Sequence, residues 1–173
     1  MLKKIILIFL LVLSVNADSF NFKNISINSD DAKGRGLSYN FSYSKNISFL
    51  NGKISVEFKA ISGEEDQGGG IMYRVVDDNN YYVVRFNPLE DNLRVYYVKN
   101  SRRVLLKSAD KRLDTKEWHT IKLIQNQNRY TIFLDGEKLL EGSDNTFTKA
   151  GGIGVWSKAD ALTSFKNLKV QKR

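Results

Sequence analysis

Alternation of apolar and polar residues with a period of two is the feature that most restricts the fold of this 173-residue chain. From residue 54 to residue 60, apolar side chains at the even positions alternate with serine, glutamate and lysine, as in a half-buried strand. Further runs rich in β-branched and aromatic residues predict strands at 71–76, 81–86, 93–98, 118–124, 130–134, 153–156 and 165–170, with weaker candidates at 20–27 and 37–43. We find no helical period outside the N-terminus, so the sequence predicts an all-β protein.

Turn-forming residues separate these runs at 77–80, 88–91, 126–128 and 135–136, and the only proline lies in the second of these turns. Short strands joined by such turns are typical of β-sandwiches and jelly rolls. We therefore predict one domain, residues 18–173, folded as a two-sheet antiparallel jelly roll.

The first 17 residues have the pattern of a signal peptide. Lys3 and Lys4 precede an uncharged apolar run, 5–15, which is shorter than the roughly 20 residues that span a bilayer. Val15-Asn16-Ala17 then supplies acceptable residues for cleavage, and an uncleaved N-terminal anchor is the alternative. We expect a periplasmic or secreted protein with no stable membrane anchor after cleavage.

Composition excludes several classes of site. The chain has no cysteine and one histidine, which excludes disulfides, thiol nucleophiles and multi-histidine metal sites. A net charge of +8 allows an anionic partner, but the predicted export argues against nucleic acid.

The turns predict a register for two hairpins. With turns at 77–80 and 88–91, Arg74 lies opposite Val83, Arg85 opposite Arg94, and Val83 opposite Tyr96. One face of these strands then collects only apolar and tyrosine side chains and is expected to be core: Ile71, Tyr73, Val75, Tyr82, Val84, Phe86, Leu93, Val95 and Tyr97.

The opposite face combines arginines, amides and aromatic rings, a set that suits a polyhydroxylated ligand because amide and guanidinium groups bond hydroxyls and rings stack on sugars. We predict that it binds a saccharide through Arg74, Arg85, Asn87, Asn92 and Tyr96, with Glu90 at the rim. The alternative is a solvated outer sheet with ordinary cross-strand pairs. A slip of one residue would exchange the two faces, so this prediction depends on the assumed turns.

Several segments together resemble a known family. The hairpin that opens with Trp118-His119 and turns at Asp135-Gly136, the glycine-rich run 151–156 and the closing run 165–170 resemble laminin-G-like and concanavalin A-like jelly rolls. The segments 64–70, 80–87 and 89–92 extend the match to bacterial exported proteins related to family 16 glycoside hydrolases and to the 3-keto-disaccharide hydrolase domain. This resemblance implies a concanavalin A-like sandwich with carbohydrate binding on its concave face.

Catalytic and metal motifs are weak. The Glu-x-Asp-x-Glu strand motif of family 16 hydrolases is absent, and Glu65 with Glu90 is the remaining carboxylate pair, in predicted loops. His119 fits a structural role better than that of a general base. We expect no catalytic residue, no metal ligand and no cofactor, with a structural calcium ion on Asp30-Asp31, Asp77-Asp78 or Asp144 as a minor alternative. A sugar contact from Lys158-Ala159-Asp160 is a further alternative.

The sequence thus favours an exported, non-catalytic, lectin-like module over two alternatives. One is a glycoside hydrolase-like enzyme that acts on glycosides or keto-sugars through loop carboxylates. The other is a cell-envelope module that uses the same sheet face to bind a protein partner.

Overall fold

A computed structural model describes residues 12–15, 23–27 and 37–173 of the chain. Thirteen strands lie in this part of the chain: β1 Val12–Val15, β2 Lys23–Ile27, β3 Leu37–Phe49, β4 Gly52–Ser62, β5 Gly69–Asp77, β6 Asn80–Asn87, β7 Asn92–Lys99, β8 Arg102–Asp110, β9 His119–Asn126, β10 Arg129–Leu134, β11 Glu137–Ser143, β12 Gly151–Lys158 and β13 Leu162–Lys172. None of the described residues forms a helix long and apolar enough to cross a membrane.

The strands form two antiparallel sheets. The first has the spatial order β1-β13-β4-β9-β10-β11, and the second has the order β2-β3-β12-β5-β6-β7-β8. Sequential hairpins supply β9-β10-β11 and β5-β6-β7-β8, whereas β12 and β13 return to pair with strands from the first half of the chain. The predicted two-sheet antiparallel jelly roll is therefore confirmed.

The core lies between the inner faces of the two sheets. In β4 the even residues from Ile54 to Phe58 are buried and the odd residues are more exposed, as the alternation predicts. Their partners across the core include Ile71, Val84 and Val95 of the second sheet. Removal of this apolar surface from water supplies the main driving force for folding.

The outer face of the second sheet carries a separate buried cluster. It is mainly aromatic, with Tyr39, Phe41, Tyr81, Tyr96 and Trp156 among its members. The rings of Tyr39 and Trp156 are tilted, with centroids 5.0 Å apart, and the Trp156 Nε1–H donates to the Tyr81 hydroxyl at 3.3 Å. This face therefore buries its aromatic side chains as the core does.

The assumed register is correct in one hairpin and wrong in the other. Between β6 and β7, Arg85 lies opposite Arg94 and Val83 opposite Tyr96, as predicted. In β5, however, the register shifts between Tyr73 and Asp77, so Val83 lies opposite Met72 rather than Arg74. A β-bulge explains the error: residues 74–76 of β5 lie opposite the single residue Tyr81 of β6, so two extra residues displace every pair beyond them.

The predicted signal peptide, residues 1–17, lies largely outside the described residues. Within it, only Val12–Val15 is described, as the edge strand that pairs with β13. The leader, its cleavage and the cellular location stay predictions.

Candidate functional site

Two connections meet at one end of the sandwich and are joined by a single carboxylate. Asp160, in the turn between β12 and β13, accepts hydrogen bonds from the backbone N–H groups of Glu64 at 2.6 Å, Glu65 at 3.1 Å and Asp66 at 3.1 Å. These bonds, led by that of Glu64, lower the pKa of Asp160. The three hydrogen bonds hold the β4–β5 loop in a conformation that buries Asp66 and leaves Glu64 and Glu65 exposed.

Asn87 joins that loop to the turn between β6 and β7. Its Oδ1 atom accepts from the backbone N–H of Gln67 at 3.3 Å and from that of Leu89 at 3.0 Å, and the residue is fully buried. Asn87 thus fixes the relative position of the two connections that carry the charged groups of the site.

The charged groups surround the guanidinium of Arg85. Its Nη2 lies 2.7 Å from Asp66 Oδ2, both side chains being at most 2% exposed, and its Nη1 lies 3.5 Å from Glu90 Oε2. Arg94 Nη1 approaches the same Glu90 oxygen at 2.9 Å, and Lys158 Nζ lies 3.2 Å from Asp66 Oδ2. We call this set, completed by two buried amides, the polar cluster: Asp66, Arg85, Asn87, Glu90, Asn92, Arg94 and Lys158.

The two carboxyl groups of the cluster have pKa values displaced in opposite directions. Burial raises the pKa of Asp66, and the charges of Arg85 and Lys158 only partly oppose that effect. Burial would also raise the pKa of Glu90, but the hydrogen bond from Asn92 Nδ2 and the charges of Arg85 and Arg94 outweigh it and lower that pKa. One carboxyl therefore favours its protonated form more than usual, and the other favours its ionised form.

Several buried polar atoms of the cluster have no hydrogen-bond partner among the described residues. They are Asp66 Oδ1, Arg85 Nε, Asn87 Nδ2 and Asn92 Oδ1, two acceptors and two donors. An unpaired buried polar group costs about 1–3 kcal/mol, so these four atoms are candidates for hydrogen bonds to a ligand or to water. The rim above them is accessible, because Glu90 and Arg94 are 41% and 32% exposed.

The structure places four of the six predicted site residues in the polar cluster, Arg85, Asn87, Glu90 and Asn92, and moves Arg74 away from it. Arg74 sits at the β5 bulge with a left-handed backbone, φ 47°, and its guanidinium bonds to carbonyl oxygens of loops at the opposite end. The predicted group of three neighbouring arginines is therefore wrong, and only Arg85 and Arg94 are neighbours. Tyr96 is 5% exposed, and the Arg103 guanidinium lies 4.6 Å from its ring centroid, so that ring is covered in this structure.

Sequence reasoning missed Asp66 as a member of the site. Its signal was the acidic run Glu64-Glu65-Asp66, from which Glu65 was selected as a partner of Glu90, whereas the structure buries Asp66 beside Arg85. The segment from Lys158 to Asp160 was selected only as an alternative contact. It supplies both a cation of the cluster and the carboxylate that fixes the loop.

The remaining candidates have other partners. His119 Nδ1 lies 2.7 Å from Asp135 Oδ2 and Nε2 lies 2.9 Å from the Asp114 carbonyl, a structural arrangement at the start of β9. Of the suggested calcium donors, Asp78 accepts from Tyr43 and Asp144 from Tyr82, while Asp30 and Asp31 lie outside the described residues. Within the described ranges, no three acidic or histidine side chains are grouped as metal ligands.

Solved structures with the same fold include both binding and hydrolytic proteins. The carbohydrate-binding module CBM66 from Bacillus subtilis is 18% identical over 91% of this chain and 94% of its own, with a TM-score of 0.70. A Bacillus subtilis protein of unknown function with a galectin-like fold is 12% identical over 91% and 92% of the two chains, with a TM-score of 0.64. Bacillus licheniformis β-glucanase is 12% identical over 92% and 98%, with a TM-score of 0.60. At these identities the likeness concerns the fold alone.

Sequence comparison identifies the family more directly than the fold does. No curated protein sequence matches the chain significantly. A family model does match it, over residues 25–171, and that range includes every member of the polar cluster. The chain belongs to the family of 3-keto-alpha-glucoside-1,2-lyase-like domains.

Proposed function

We propose that this protein binds a saccharide, or a ligand with the same arrangement of hydroxyl groups, at the polar cluster and does not cleave it. The observation that carries the proposal is the set of four buried, unpaired polar atoms under a rim of charged side chains. A vicinal diol presents donors and acceptors at short spacing, which matches two unpaired acceptors and two unpaired donors. The carbohydrate-binding module of the same fold supports the proposal by analogy.

The rim would have to move when the ligand enters. The unpaired atoms have no exposed surface in this structure, and Glu90 and Lys158 lie over them through their bonds to Arg85 and Asp66. Exposed ion pairs contribute only about 0–1 kcal/mol, so Glu90 can exchange its contact with Arg94 for a ligand hydroxyl at small cost and stay at the site as a charged acceptor. Binding energy then comes from hydrogen bonds to charged groups, which are about twice as strong as neutral ones.

A glycan array with the chain lacking residues 1–17 identifies the ligand class, and calorimetry on the best glycan measures the affinity. Glu90→Gln removes one rim charge and is expected to weaken binding about tenfold, which is roughly 1.4 kcal/mol. Glu137→Gln is the matched control, since Glu137 is also an exposed carboxylate paired with a cation, Lys111, at 2.6 Å. It should leave the affinity within about twofold. Absence of any glycan ligand, or equal effects of the two substitutions, would refute the proposal.

A second candidate function is an elimination reaction on a 3-keto-α-glucoside. The family match favours it, as do the opposite pKa displacements of Asp66 and Glu90, because such a separation is typical of an acid and base pair. In this reaction Glu90 would take the proton from C2, next to the ketone. The C1–O bond would then break as Asp66 protonates the leaving oxygen, and Arg85 would stabilise the enolate charge.

Turnover separates the two candidates. Incubation of a 3-keto-α-glucoside with the protein should give no released alcohol and no conjugated enone if the site only binds. Release that is abolished by Glu90→Gln and kept by Glu137→Gln would instead establish the elimination and refute the non-catalytic proposal.

A further inference from the structure

A cavity lies at the end of the sandwich opposite the polar cluster. Its volume is about 350 Å³, enough for a monosaccharide-sized molecule. Apart from Leu50, the residues that line it carry amide, hydroxyl or guanidinium groups: Asn51, Arg74, Gln127, Asn128, Asn145 and Thr148.

Arg74 forms the charged wall of this cavity and is 2% exposed. Its Nε and Nη2 donate to the Leu50 carbonyl at 3.2 and 2.9 Å, Nη2 also donates to the Gln127 carbonyl at 2.5 Å, and Nη1 donates to the Phe147 carbonyl at 2.8 Å. These bonds use four of the five guanidinium N–H groups, so one N–H on Nη1 has no acceptor among the described residues.

The charge of Arg74 is not balanced by an ion pair. No carboxylate of the described residues lies within 4 Å of it, although Arg85 in the neighbouring strand has two such partners. Asp144 lies in the same loop region, but its Oδ1 atom accepts from the Tyr82 hydroxyl and from the Thr146 N–H. Its hydrogen-bond acceptors among the described residues are backbone carbonyl oxygens, and a buried charge without a counter-ion is costly.

The β5 bulge explains why this cation stands at the cavity. Arg74 has φ 47°, a left-handed backbone that a non-glycine residue seldom adopts. Without the bulge, strict alternation would direct this side chain to the outer face of the sheet with Met72 and Arg85. Strained backbone of this kind often marks a functional position, and here it delivers a guanidinium to the wall of a polar cavity.

We propose that this cavity binds a small oxyanion, a carboxylate or sulfate group carried by a sugar, with the remaining Nη1 N–H of Arg74 as its anchor. The amide and hydroxyl residues around Arg74 would bond the rest of the ligand. This site is independent of the polar cluster and holds whether or not the cluster binds a neutral saccharide.

The test measures the thermal midpoint of the full chain with glucuronate, inorganic sulfate or neutral glucose, each compared with chloride at equal ionic strength. Glucuronate or sulfate should raise the midpoint and glucose should not. If sulfate and glucuronate raise the midpoint equally, the affinity comes from the anionic group. If glucuronate raises it more, the sugar ring also contacts the protein. Calorimetry then gives the dissociation constant.

Asn145→Asp is the decisive variant because it places a carboxylate at the cavity without removing Arg74. We expect it to weaken anion binding at least about tenfold. Thr115→Asp adds the same charge near Lys116, whose N–H bonds to Ala60 at the other end of β4, and should leave the affinity within about twofold. Glu90→Gln should likewise leave anion binding unchanged.

Two results would overturn the proposal. One is the absence of any anion-dependent rise in the midpoint of the wild-type chain. The other is equal weakening by Asn145→Asp and Thr115→Asp, which would indicate only a general electrostatic effect. Arg74→Met serves as a further check where it folds, and retained anion binding in that variant would also exclude the site.

Discussion

Replacement of Arg85 by methionine tests whether the polar cluster is held by a buried ion pair. Asp66 and Arg85 are 1% and 2% exposed and 2.7 Å apart, so Arg85→Met leaves a buried carboxylate with only Lys158 as a cationic partner. Removal of one member of a buried pair costs about 3–5 kcal/mol. With a urea m-value of about 2 kcal/mol/M, the unfolding midpoint should fall by about 1.5–2.5 M. Arg85→Met should also lose saccharide binding.

The matched control is Arg94→Met, which removes a neighbouring guanidinium that is 32% exposed and forms its ion pair with the exposed Glu90. Its effect on the free energy of unfolding should stay below about 1 kcal/mol. The double variant Asp66→Asn with Arg85→Met removes both charges and should recover most of the loss. Urea titration followed by circular dichroism and by the fluorescence of the buried Trp156 measures all of these variants. Equal midpoints for Arg85→Met and Arg94→Met, or no recovery in the double variant, would refute the reasoning.

The pH dependence of Arg85→Met provides a second check with a defined sign. The pKa of Asp66 is already raised in the folded protein by burial, and loss of Arg85 raises it further. The folded state then binds the proton more tightly than the unfolded state, so the free energy of unfolding falls as pH rises through the window between the two pKa values. The deficit of Arg85→Met relative to wild type should therefore be largest at neutral pH and should shrink below about pH 4.

Three further substitutions test other parts of the structure. Asp160→Asn removes a charged acceptor from three backbone N–H groups. We therefore expect weaker saccharide binding and faster proteolysis within the β4–β5 loop, with little change in the urea midpoint. An unchanged cleavage rate would contradict this role. Gly70→Ala would place a Cβ atom against the Val84 carbonyl oxygen and should lower the free energy of unfolding by about 1–3 kcal/mol in urea titration. Gly136→Ala is the comparison: a Cβ atom there would have no neighbour within 4 Å, but φ is 85°, so this variant reports backbone strain alone. Tyr82→Phe removes the hydroxyl that joins Asp144 and the Phe147 N–H, and it should lower the free energy of unfolding by about 1–2 kcal/mol. Tyr97→Phe is the control and should be nearly neutral. Equal losses in the two variants would argue against the bridge through the Tyr82 hydroxyl.

The core and most strands could be predicted because burial imposes a visible alternation. The second hairpin was also correct, since the turn at 88–91 fixes which residues of β6 and β7 face each other. Edge strands carry a weaker signal. In β8 neither face is fully buried, and in β11 only Leu140 is, so charged and polar residues dilute the pattern and both strands were missed.

The site could be predicted only where its geometry depends on neighbouring strands. Arg85, Asn92 and Arg94 follow from the β6–β7 register, and the structure does bring them together with Glu90. Asp66 depends on Asp160, which is 94 residues away and holds the loop through backbone N–H groups. No local pattern encodes such a contact. The bulge that moves Arg74 is likewise invisible, because the flanking valines and tyrosine fit a regular strand equally well.

The contrast between Arg85 and Arg74 connects the two proposed sites. Both guanidinium groups are buried in the same pair of strands, one at each end of the sandwich. Arg85 is neutralised by Asp66 and approached by Glu90, so its surroundings suit a ligand rich in hydroxyl groups rather than a net charge. Arg74 is surrounded by carbonyl oxygens and has no paired carboxylate among the described residues, so its surroundings favour an anion. Glu90→Gln should therefore change neutral saccharide binding alone, and Asn145→Asp should change anion binding alone.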